Sequence, residues 1–338
     1  MKKYNVGILG ATGAVGQEMI KLLEERNFPI NEIRFFASAR SVDKKIQFNG
    51  KEYKVEEAKK GVFKNIDILL GASPNELAIE LIPSAIEQGC VVVDNSSAFR
   101  LDEDVPLVVP EVNPEAVKNH KGLIANPNCA TIIGLVAINK LNAHHKIKRV
   151  IVSTYQAVSG AGAGGITELD EQVKNISQNK EVTPKVFSHQ IAYNLIPQIG
   201  GFNDMGYSSE EMKFQNEGRK ILENKELKVN CTCVRVPVYR SHSESITLEF
   251  HDDISIEEAE DILKNSPGVK YIKTENNGSL PMPLDTSDQD LVFVGRLRRD
   301  MSRDDNKGLS LWCCGDQIRK GAATNAIQIA ELVIKNKN

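Results

Sequence analysis

The chain has 338 residues, with 42 Lys and Arg against 45 Asp and Glu. This length suits two domains with well-filled cores, and the formal net charge of −3 argues against an overall basic surface for nucleic acid or anionic lipid. Because no apolar run approaches the roughly 18 residues of a membrane span, we expect a cytoplasmic protein with small-molecule ligands and neither nucleic-acid nor membrane partners.

Strand-like and helix-like segments alternate through the first half, which predicts a parallel sheet with helices on its faces. The predicted elements there are strand 4–9, helix 15–25, strands 33–37 and 66–70, helix 76–88 and strand 91–94. The second half has alternating strand patterns at 150–156, 231–239, 245–250 and 291–296, which predict a mixed or antiparallel sheet. The sequence thus predicts an α/β fold: a Rossmann-type doubly wound parallel sheet plus an α+β domain with a mixed sheet. A last helix at 322–334 has the spacing to pack back on the first domain, and residues 175–190 form the least structured stretch.

Three glycines follow the first predicted strand in Gly10-Ala-Thr-Gly13-Ala-Val-Gly16 and precede the first helix. Glycine at these places permits a tight turn, close approach of the backbone to a pyrophosphate and close helix-to-strand packing. The pattern predicts a dinucleotide site, with a merely glycine-tolerant turn as the alternative.

The segment after the second predicted strand indicates which dinucleotide is preferred. Residues 36–42 carry Arg40 and Ser41 and no carboxylate that would accept the ribose hydroxyls of NAD. An arginine with neighbouring hydroxyls suits a 2′-phosphate, so NADP is favoured. A solvated loop charge is the alternative interpretation of Arg40.

Cys129 lies in the turn Asn126-Pro-Asn-Cys129-Ala-Thr131, directly before the apolar helix pattern 132–141. A helix N-terminus favours thiolate over thiol, so this position is typical of a cysteine that attacks carbonyls. A small, buried and inert cysteine is the alternative. The other cysteines lack the C-x-x-C spacing of a zinc site, so we expect reduced thiols and no metal.

His242 and Arg100 are further candidates for chemistry. Histidine passes protons near neutral pH, and Arg235, seven residues earlier, would bind an anion or lower the histidine pKa. A surface or hydrogen-bonded histidine is the alternative. Arg100 follows the predicted strand 91–94 at the end where parallel sheets bind ligands, which makes it a candidate oxyanion clamp.

A second glycine-rich segment, 159–165, directly follows the strand that bears Gln156. Such glycine density indicates either close approach of the backbone to a ligand or a flexible linker. Glu210 and Lys213 stand three residues apart on a predicted helix, a spacing that by default means a weak surface ion pair.

Six ordered motifs together resemble those of aspartate-β-semialdehyde dehydrogenases. They are the Gly10–Gly16 fingerprint, Ser96-Ser-Ala-Phe-Arg100, Asn126-Pro-Asn-Cys129, Tyr155-Gln-Ala-Val-Ser-Gly-Ala-Gly162, the Arg235–His242 spacing and Gly315-Asp-Gln-Ile-Arg-Lys-Gly-Ala-Ala323. The resemblance covers nearly the whole chain. It implies NADP-dependent reductive dephosphorylation of L-aspartyl-4-phosphate to L-aspartate-4-semialdehyde, toward lysine (through diaminopimelate), methionine and threonine.

The resemblance also implies a role for each candidate at the chemical end. Cys129 would form an acyl thioester, His242 would be the general acid/base, and Gln156 would help to orient the substrate. Arg235 would bind the substrate α-carboxylate and Glu210 its amino group.

Further roles implied by the resemblance concern the phosphate and the cofactor. Arg100 and Lys213 would bind the substrate phosphate, and Asn128 would support the same region. The implied NADP contacts are Gly10, Thr12, Gly13, Ala14, Val15, Arg40, Ser41, Ser159, Gly160 and Gln317. A basic residue expected near Ala163 is absent, and Val42-Asp43 replaces the small residues that commonly follow Arg40-Ser41.

The domain organisation implied by the resemblance divides the chain near Cys129. Residues 1–127 would bind NADP, completed by the C-terminal helix 320–338, and residues 128–319 would form the catalytic and dimerisation domain. We therefore expect a homodimer.

Three other functions are compatible with parts of the pattern. N-acetyl-γ-glutamyl-phosphate reductase also uses a Cys and a His, but Glu210, placed to pair with a free ammonium, argues against it. A non-catalytic NADP-binding redox regulator explains the fingerprint and the thiol of Cys129, but not Arg235 and His242. Glyceraldehyde-3-phosphate dehydrogenase shares the thiol chemistry, but its Cys-Thr-Thr-Asn context is not found.

Overall fold

The computed structural model describes residues 2–275 and 278–336. The predicted domain ranges also include residues 1, 276, 277, 337 and 338, which lie outside the described residues. The chain divides into two compact units, Met1–Asn128 with Ala322–Asn338 and Cys129–Gly321. Among the described helices, none has both the length and the apolar character needed to cross a bilayer.

The first unit is built on a seven-stranded sheet in the order β3-β4-β2-β1-β5-β6-β7. Its pairs are parallel except the antiparallel β3–β4 pair, so the predicted doubly wound parallel sheet is confirmed. Its strands are β1 Tyr4–Leu9, β2 Ile30–Ala37, β3 Lys45–Phe48, β4 Lys51–Glu57, β5 Ile68–Gly71, β6 Val91–Asp94 and β7 Leu123–Ala125. Its helices are α1 Ala14–Glu25, α2 Asn75–Glu87 and the last helix of the chain, α8 Thr324–Asn336.

Helix α8 packs into the core of this first unit. Ala326, Ile327 and Ala330 are fully buried in the same apolar cluster as Val6 and Ile8 of β1. The predicted terminal helix therefore returns to the parallel sheet, where it replaces water with apolar surface.

The β3–β4 hairpin is absent from the sequence-based prediction. Its turn is Asn49-Gly50, and both residues have positive φ, 47° and 71°. Asn-Gly is the dipeptide that most readily adopts this geometry between two antiparallel strands. The Asn49-Gly50 dipeptide therefore indicates this hairpin in the sequence itself.

The second unit is built on a six-stranded mixed sheet in the order β11-β12-β13-β10-β8-β9, as predicted. Helices α3, α5 and α6 pack against it. Its strands are β8 Ile147–Gln156, β9 Lys228–Arg235, β10 His242–Phe250, β11 Val269–Ile272, β12 Val292–Arg299 and β13 Gly308–Gly315. Its helices are α3 Cys129–His144, α4 Ala163–Ser177, α5 Ser209–Ile221, α6 Ile256–Lys264 and α7 Pro283–Thr286.

The predicted strand 231–239 is wrong beyond Arg235, where β9 ends. Pro237 has no backbone N–H for a strand ladder, and the N–H of Val238 donates to the carbonyl of Val236 in a local turn. The chain reverses there, and β10 begins at His242.

The predicted glycine-rich loop 159–165 is also shorter than expected, because α4 begins at Ala163. A Cβ on Gly165 would lie 2.2 Å from the carbonyl oxygen of Val158. Glycine is therefore needed at 165 because α4 packs closely against the preceding 3₁₀ turn Val158–Ala161, rather than for loop flexibility.

Candidate active site

The first unit carries the glycine fingerprint at the turn between β1 and α1. Gly10 has a φ of 85°, and a Cβ there would lie 2.3 Å from the carbonyl oxygen of Ala72. A Cβ on Gly16 would lie 2.3 Å from the carbonyl oxygen of Gly10. Gly13 is the N-cap of α1, whose first turn has no side-chain cap and no acidic residue. This helix N-terminus is suited to the pyrophosphate of a dinucleotide.

The remaining candidate nucleotide contacts of this unit lie at the carboxyl ends of β1 and β2. Thr12 precedes α1, and Ala14 and Val15 begin it. Arg40 is exposed and Ser41 is buried in a short 3₁₀ turn after β2. Because β1 and β2 are parallel neighbours, these residues gather at one edge of the sheet, where ligands bind in this fold.

The second unit brings together three candidate residues from neighbouring strands, Arg235, Gln156 and His242, which we call the row. The register pairs Gln156 of β8 with Arg235 of β9, and the last residues of β8 lie beside the start of β10. Gln156 Nε2 lies 3.5 Å from His242 Nε2. The ends of three adjacent strands therefore present an arginine, an amide and an imidazole side by side.

Cys129 faces this row from the first residue of α3. Its Sγ lies 3.4 Å from His242 Nε2. His242 Nδ1 accepts a hydrogen bond of 3.1 Å from the backbone N–H of Ala157. Because a backbone N–H can only donate, the proton of the neutral imidazole sits on Nε2 and points at the sulfur. The pair is arranged to stabilise a thiolate.

His242 is fully buried, so the interpretation as a surface histidine is wrong. Burial, together with the nearby cation of Arg235, lowers the pKa of His242 to about 3, and the carboxylate of Glu210 opposes the shift. The expected effect of a neighbouring arginine is therefore confirmed. The imidazole is neutral at pH 7.

Glu210 connects the row to α5. Its Oε1 accepts a hydrogen bond of 3.2 Å from Gln156 Nε2, and its Oε2 accepts one of 2.8 Å from Lys213 Nζ. The ion pair expected from sequence exists, but Glu210 is buried, so the expectation of a surface pair is wrong. A carboxylate and the Arg235 guanidinium in one site match a zwitterionic ligand.

The candidate cofactor contacts of the second unit lie beside the row. Gln317 Oε1 accepts a hydrogen bond of 2.7 Å from the backbone N–H of Ser241, and Gln317 Nε2 donates to Ser159 Oγ. A Cβ on Gly160 would lie 2.8 Å from Arg235 Nη1 and 3.3 Å from His242 Cε1. The glycine-rich segment is thus held against the row where a side chain has no room.

Arg100 and Asn128 belong to the first unit, so their roles at the cysteine stay predictions. Arg100 is buried; its Nε donates to the carbonyl of Asn126 at 2.9 Å, and its Nη2 donates to the carbonyl of Asn95 at 2.8 Å. Asn128 is buried directly before Cys129. Both residues lie where the chain leaves the parallel sheet for α3.

Sequence reasoning missed three residues that support the row. Thr154 Oγ1 donates to Gln156 Oε1 at 3.0 Å, a contact that the two-residue period of a strand makes foreseeable. Ala157 acts through its backbone N–H, which leaves no side-chain signal. The ring of Phe187 lies 5.8 Å from Arg235 Cζ, and nothing in its local sequence indicates that contact.

The fold and the site define a nucleotide-dependent semialdehyde dehydrogenase. A model of the semialdehyde dehydrogenase NAD binding domain matches residues 5–120, and a model of the semialdehyde dehydrogenase dimerisation domain matches residues 138–320.

Individual relatives narrow this class. The chain is 52% identical to aspartate-semialdehyde dehydrogenase of Aquifex aeolicus over 98% of both chains, and 49% identical to that of Campylobacter jejuni over 99% of both. A crystal structure of aspartate semialdehyde dehydrogenase II from Vibrio cholerae complexed with ASA matches with a TM-score of 0.96, 43% identity and 99% coverage of both chains. The chain belongs to the aspartate-semialdehyde dehydrogenase family, which comprises NAD(P)-dependent phosphorylating aldehyde dehydrogenases, and the resemblance seen in the sequence is confirmed.

Proposed function

We propose that this chain catalyses NADP-dependent reductive dephosphorylation of L-aspartyl-4-phosphate to L-aspartate-4-semialdehyde, toward lysine (through diaminopimelate), methionine and threonine. The observation that carries the proposal is the 3.4 Å approach of Cys129 Sγ to the neutral His242 imidazole. Family membership supports it. Glu210 favours this substrate over an N-acetylated one, because a buried carboxylate facing a neutral acetamide is costly.

Cys129 is the proposed nucleophile. Its thiolate forms a bond to the acyl carbon, and the bond from that carbon to the phosphate oxygen breaks. Inorganic phosphate departs, and an aspartyl thioester on Cys129 remains. A dinucleotide held at the glycine fingerprint would supply a hydride to the same carbon. His242 Nε2, the ring atom that faces the sulfur, holds the proton that stabilises the resulting oxyanion. Cleavage of the carbon–sulfur bond then releases the aldehyde and restores the thiolate.

The charged groups of the substrate have matching partners. Arg235 binds the α-carboxylate, Glu210 binds the ammonium, and Gln156 orients the acyl group between them. The guanidinium of Arg235 offers the planar fork that fits a carboxylate. Both carboxyl oxygens of Glu210 accept hydrogen bonds from N–H donors, which is the kind of contact that an ammonium makes. We assign the phosphate to Lys213, Arg100 and Asn128.

We assign the nucleotide to residues 1–127 together with the C-terminal segment 320–338, and catalysis to residues 128–319. The steric demands at Gly10 and Gly16 support a pyrophosphate cradle, and exposed Arg40 with Ser41 suits the 2′-phosphate of NADP. The proposed contacts are Gly10, Thr12, Gly13, Ala14, Val15, Arg40, Ser41, Ser159, Gly160 and Gln317.

A homodimer is the proposed assembly. Ile151 of β8 is 38% exposed, and Ser153 and Tyr155 alternate with buried residues on the same strand. The ring of Tyr155 lies 5.4 Å from that of Trp312. Such a half-apolar sheet face suits a second copy, and the matching model is described as a dimerisation domain. Sedimentation velocity at micromolar concentration is expected to give twice the chain mass.

A cytoplasmic location completes the proposal. All six cysteines are free, and Cys90, Cys231, Cys233, Cys313 and Cys314 are buried thiols rather than disulfides. Free thiols agree with a reducing compartment. Fractionation of the source cells is expected to recover the protein with cytoplasmic markers.

The rate of nicotinamide reduction with L-aspartate semialdehyde and NADP, with and without phosphate, tests the activity. We expect a rate that requires phosphate. Cys129→Ala is expected to abolish it while NADP affinity stays within a few-fold, because the cysteine acts on the substrate. A wild-type rate only with N-acetyl-glutamate semialdehyde would replace the proposed substrate, and equal loss of rate and NADP binding in Cys129→Ala would remove its proposed role.

A further inference from the structure

The segment 185–192, which we call the strap, carries Phe187 over Arg235. The ring centroid of Phe187 lies 5.8 Å from Arg235 Cζ, a cation–π distance. On another side, Arg235 Nη1 donates a hydrogen bond of 2.6 Å to the carbonyl of Ala157. The guanidinium is thus fixed by one aromatic face and one backbone oxygen.

A cavity of about 240 Å³ lies beside this pair and is lined by Arg235, Phe187, Ile196 and Gly200. Arg235 itself is 7% exposed. The plane of its guanidinium therefore decides how its donors face a ligand in this space. A planar fork binds a carboxylate well only in one orientation.

Two buried polar side chains of α4 hold the strap by its main chain. Glu168 Oε2 accepts hydrogen bonds from the backbone N–H groups of residues 185 and 186. Gln172 Oε1 accepts those of residues 191 and 192, at 2.8 and 3.0 Å. Gln172 Nε2 donates to Glu168 Oε1 at 2.8 Å, so the two side chains also fix each other.

The burial of these two side chains is unusual for a helix. Glu168 is 4% exposed and Gln172 is 3% exposed, whereas Glu171 of the same helix is exposed and pairs with Lys185 Nζ at 3.3 Å. A carboxylate that accepts several N–H bonds makes strong, directional contacts. Glu168 and Gln172 therefore hydrogen-bond to the main chain on both sides of Phe187.

We propose that Phe187, Glu168 and Gln172 are positioning residues that hold the Arg235 guanidinium in the plane that binds the substrate α-carboxylate. The strap thereby sets the preference for aldehydes that carry this carboxylate. This inference rests on the proposed function, in which Arg235 binds that group. Because the strap acts on binding rather than on Cys129, its loss raises KM and leaves kcat nearly unchanged.

Steady-state kinetics of four variants test the inference. Phe187→Leu and Glu168→Gln are expected to raise KM for L-aspartate semialdehyde about tenfold, with kcat and the KM values for phosphate and NADP within twofold. Phe187→Tyr keeps the aromatic face and is expected to keep the parent KM. Glu171→Gln, the matched exposed change on α4, is also expected to match the parent.

A substrate without the carboxylate separates positioning from a general structural role. With 3-aminopropanal, Phe187→Leu and the parent are expected to have the same kcat/KM. Equal losses on both substrates would overturn the inference. So would unchanged KM for L-aspartate semialdehyde in Phe187→Leu, which keeps the inference falsifiable even if Glu168→Gln does not fold.

Arg235→Lys distinguishes failure of the strap from failure of the proposed function. If this variant raises KM for L-aspartate semialdehyde while Phe187→Leu and Glu168→Gln do not, only the strap inference fails. If Arg235→Lys leaves that KM unchanged, the assignment of the α-carboxylate to Arg235 fails and the strap inference falls with it.

Discussion

The two units of this chain build their sites from different parts of the polypeptide. The proposed nucleotide cradle of the first unit consists mainly of backbone around Gly10, Gly13 and Gly16, within seven consecutive residues. The second unit uses side chains that are far apart in sequence, since Cys129 and His242 are separated by 113 positions. A backbone site leaves a contiguous glycine pattern, whereas a side-chain site becomes visible only when the sheet register is known.

Gly160 is an exception, because glycine is required there by the backbone inside a site built from side chains. Gly160→Ala would place a Cβ 2.8 Å from Arg235 Nη1 and 3.3 Å from His242 Cε1. Displacing both groups by a fraction of an ångström is expected to lower kcat/KM for L-aspartate semialdehyde about a hundredfold. Gly201→Ala, where a Cβ meets nothing within 4 Å, is the control expected to match the parent. Parent-like kinetics in Gly160→Ala would show that the row tolerates a side chain there.

Gly16 and Gly13 lie in the same backbone turn but differ in how much room they leave for a side chain. A Cβ on Gly16 would lie 2.3 Å from the carbonyl oxygen of Gly10, whereas one on Gly13 has its nearest contact at 3.4 Å. Gly16→Ala therefore has to move backbone and is expected to raise the Kd for NADP at least tenfold, measured by fluorescence titration. Gly13→Ala has an ordinary φ of −83° and is expected to change it only a few-fold. The same Kd for both variants would contradict the steric account of the cradle.

Glu244 is expected to affect stability rather than activity. It lies on β10 two residues after His242 and is fully buried, and neither carboxyl oxygen has a hydrogen-bond partner within residues 2–275 and 278–336. Burial, reinforced by Cys233, raises the pKa of this carboxyl well above its usual value of 4.5. Its stabilising contribution is complete below pH 4.5 and is lost as pH rises toward the folded-state pKa.

Glu244→Gln is therefore expected to gain stability over the parent as pH rises. Between pH 6 and 8 the difference in unfolding free energy, from urea titrations, should grow by about 1.4 kcal/mol per pH unit while the folded carboxyl stays protonated. Glu249→Gln on the same strand is the control. The hydrogen bond from Lys148 lowers the pKa of Glu249, so this carboxyl is ionised in both the folded and the unfolded chain in this pH range. Parallel pH profiles of the parent and Glu244→Gln would mean that Glu244 is ionised in the fold.

The sequence predicted the repeating architecture better than its irregular parts. Strands 4–9 and 91–94 match the structure residue for residue, because short apolar runs between turn residues define buried parallel strands. The sequence-based prediction lacks the β3–β4 hairpin, whose turn is Asn49-Gly50. It also extends β9 beyond Arg235, although Pro237 cannot continue the strand ladder.

The site was predictable only in part, for physical reasons. Cys129 was foreseeable from its helix N-terminus, but the tautomer of His242 depends on the backbone N–H of Ala157, which no residue type encodes. Glu168 and Gln172 look like solvent-facing helix residues, and their burial depends on where the strap lies. Local sequence carries no signal for such tertiary contacts.

We propose that hydride transfer passes through a thioester on Cys129. The most direct test is to mix the protein with L-aspartate semialdehyde and NADP without phosphate, quench in acid, and map the peptides by mass spectrometry. We expect an aspartyl adduct on the peptide 122–140 in amounts that match the first turnover of reduced nicotinamide, and its removal when phosphate is added before the quench. Reduced nicotinamide formed at that level with Cys129 unmodified would contradict a thioester at this residue.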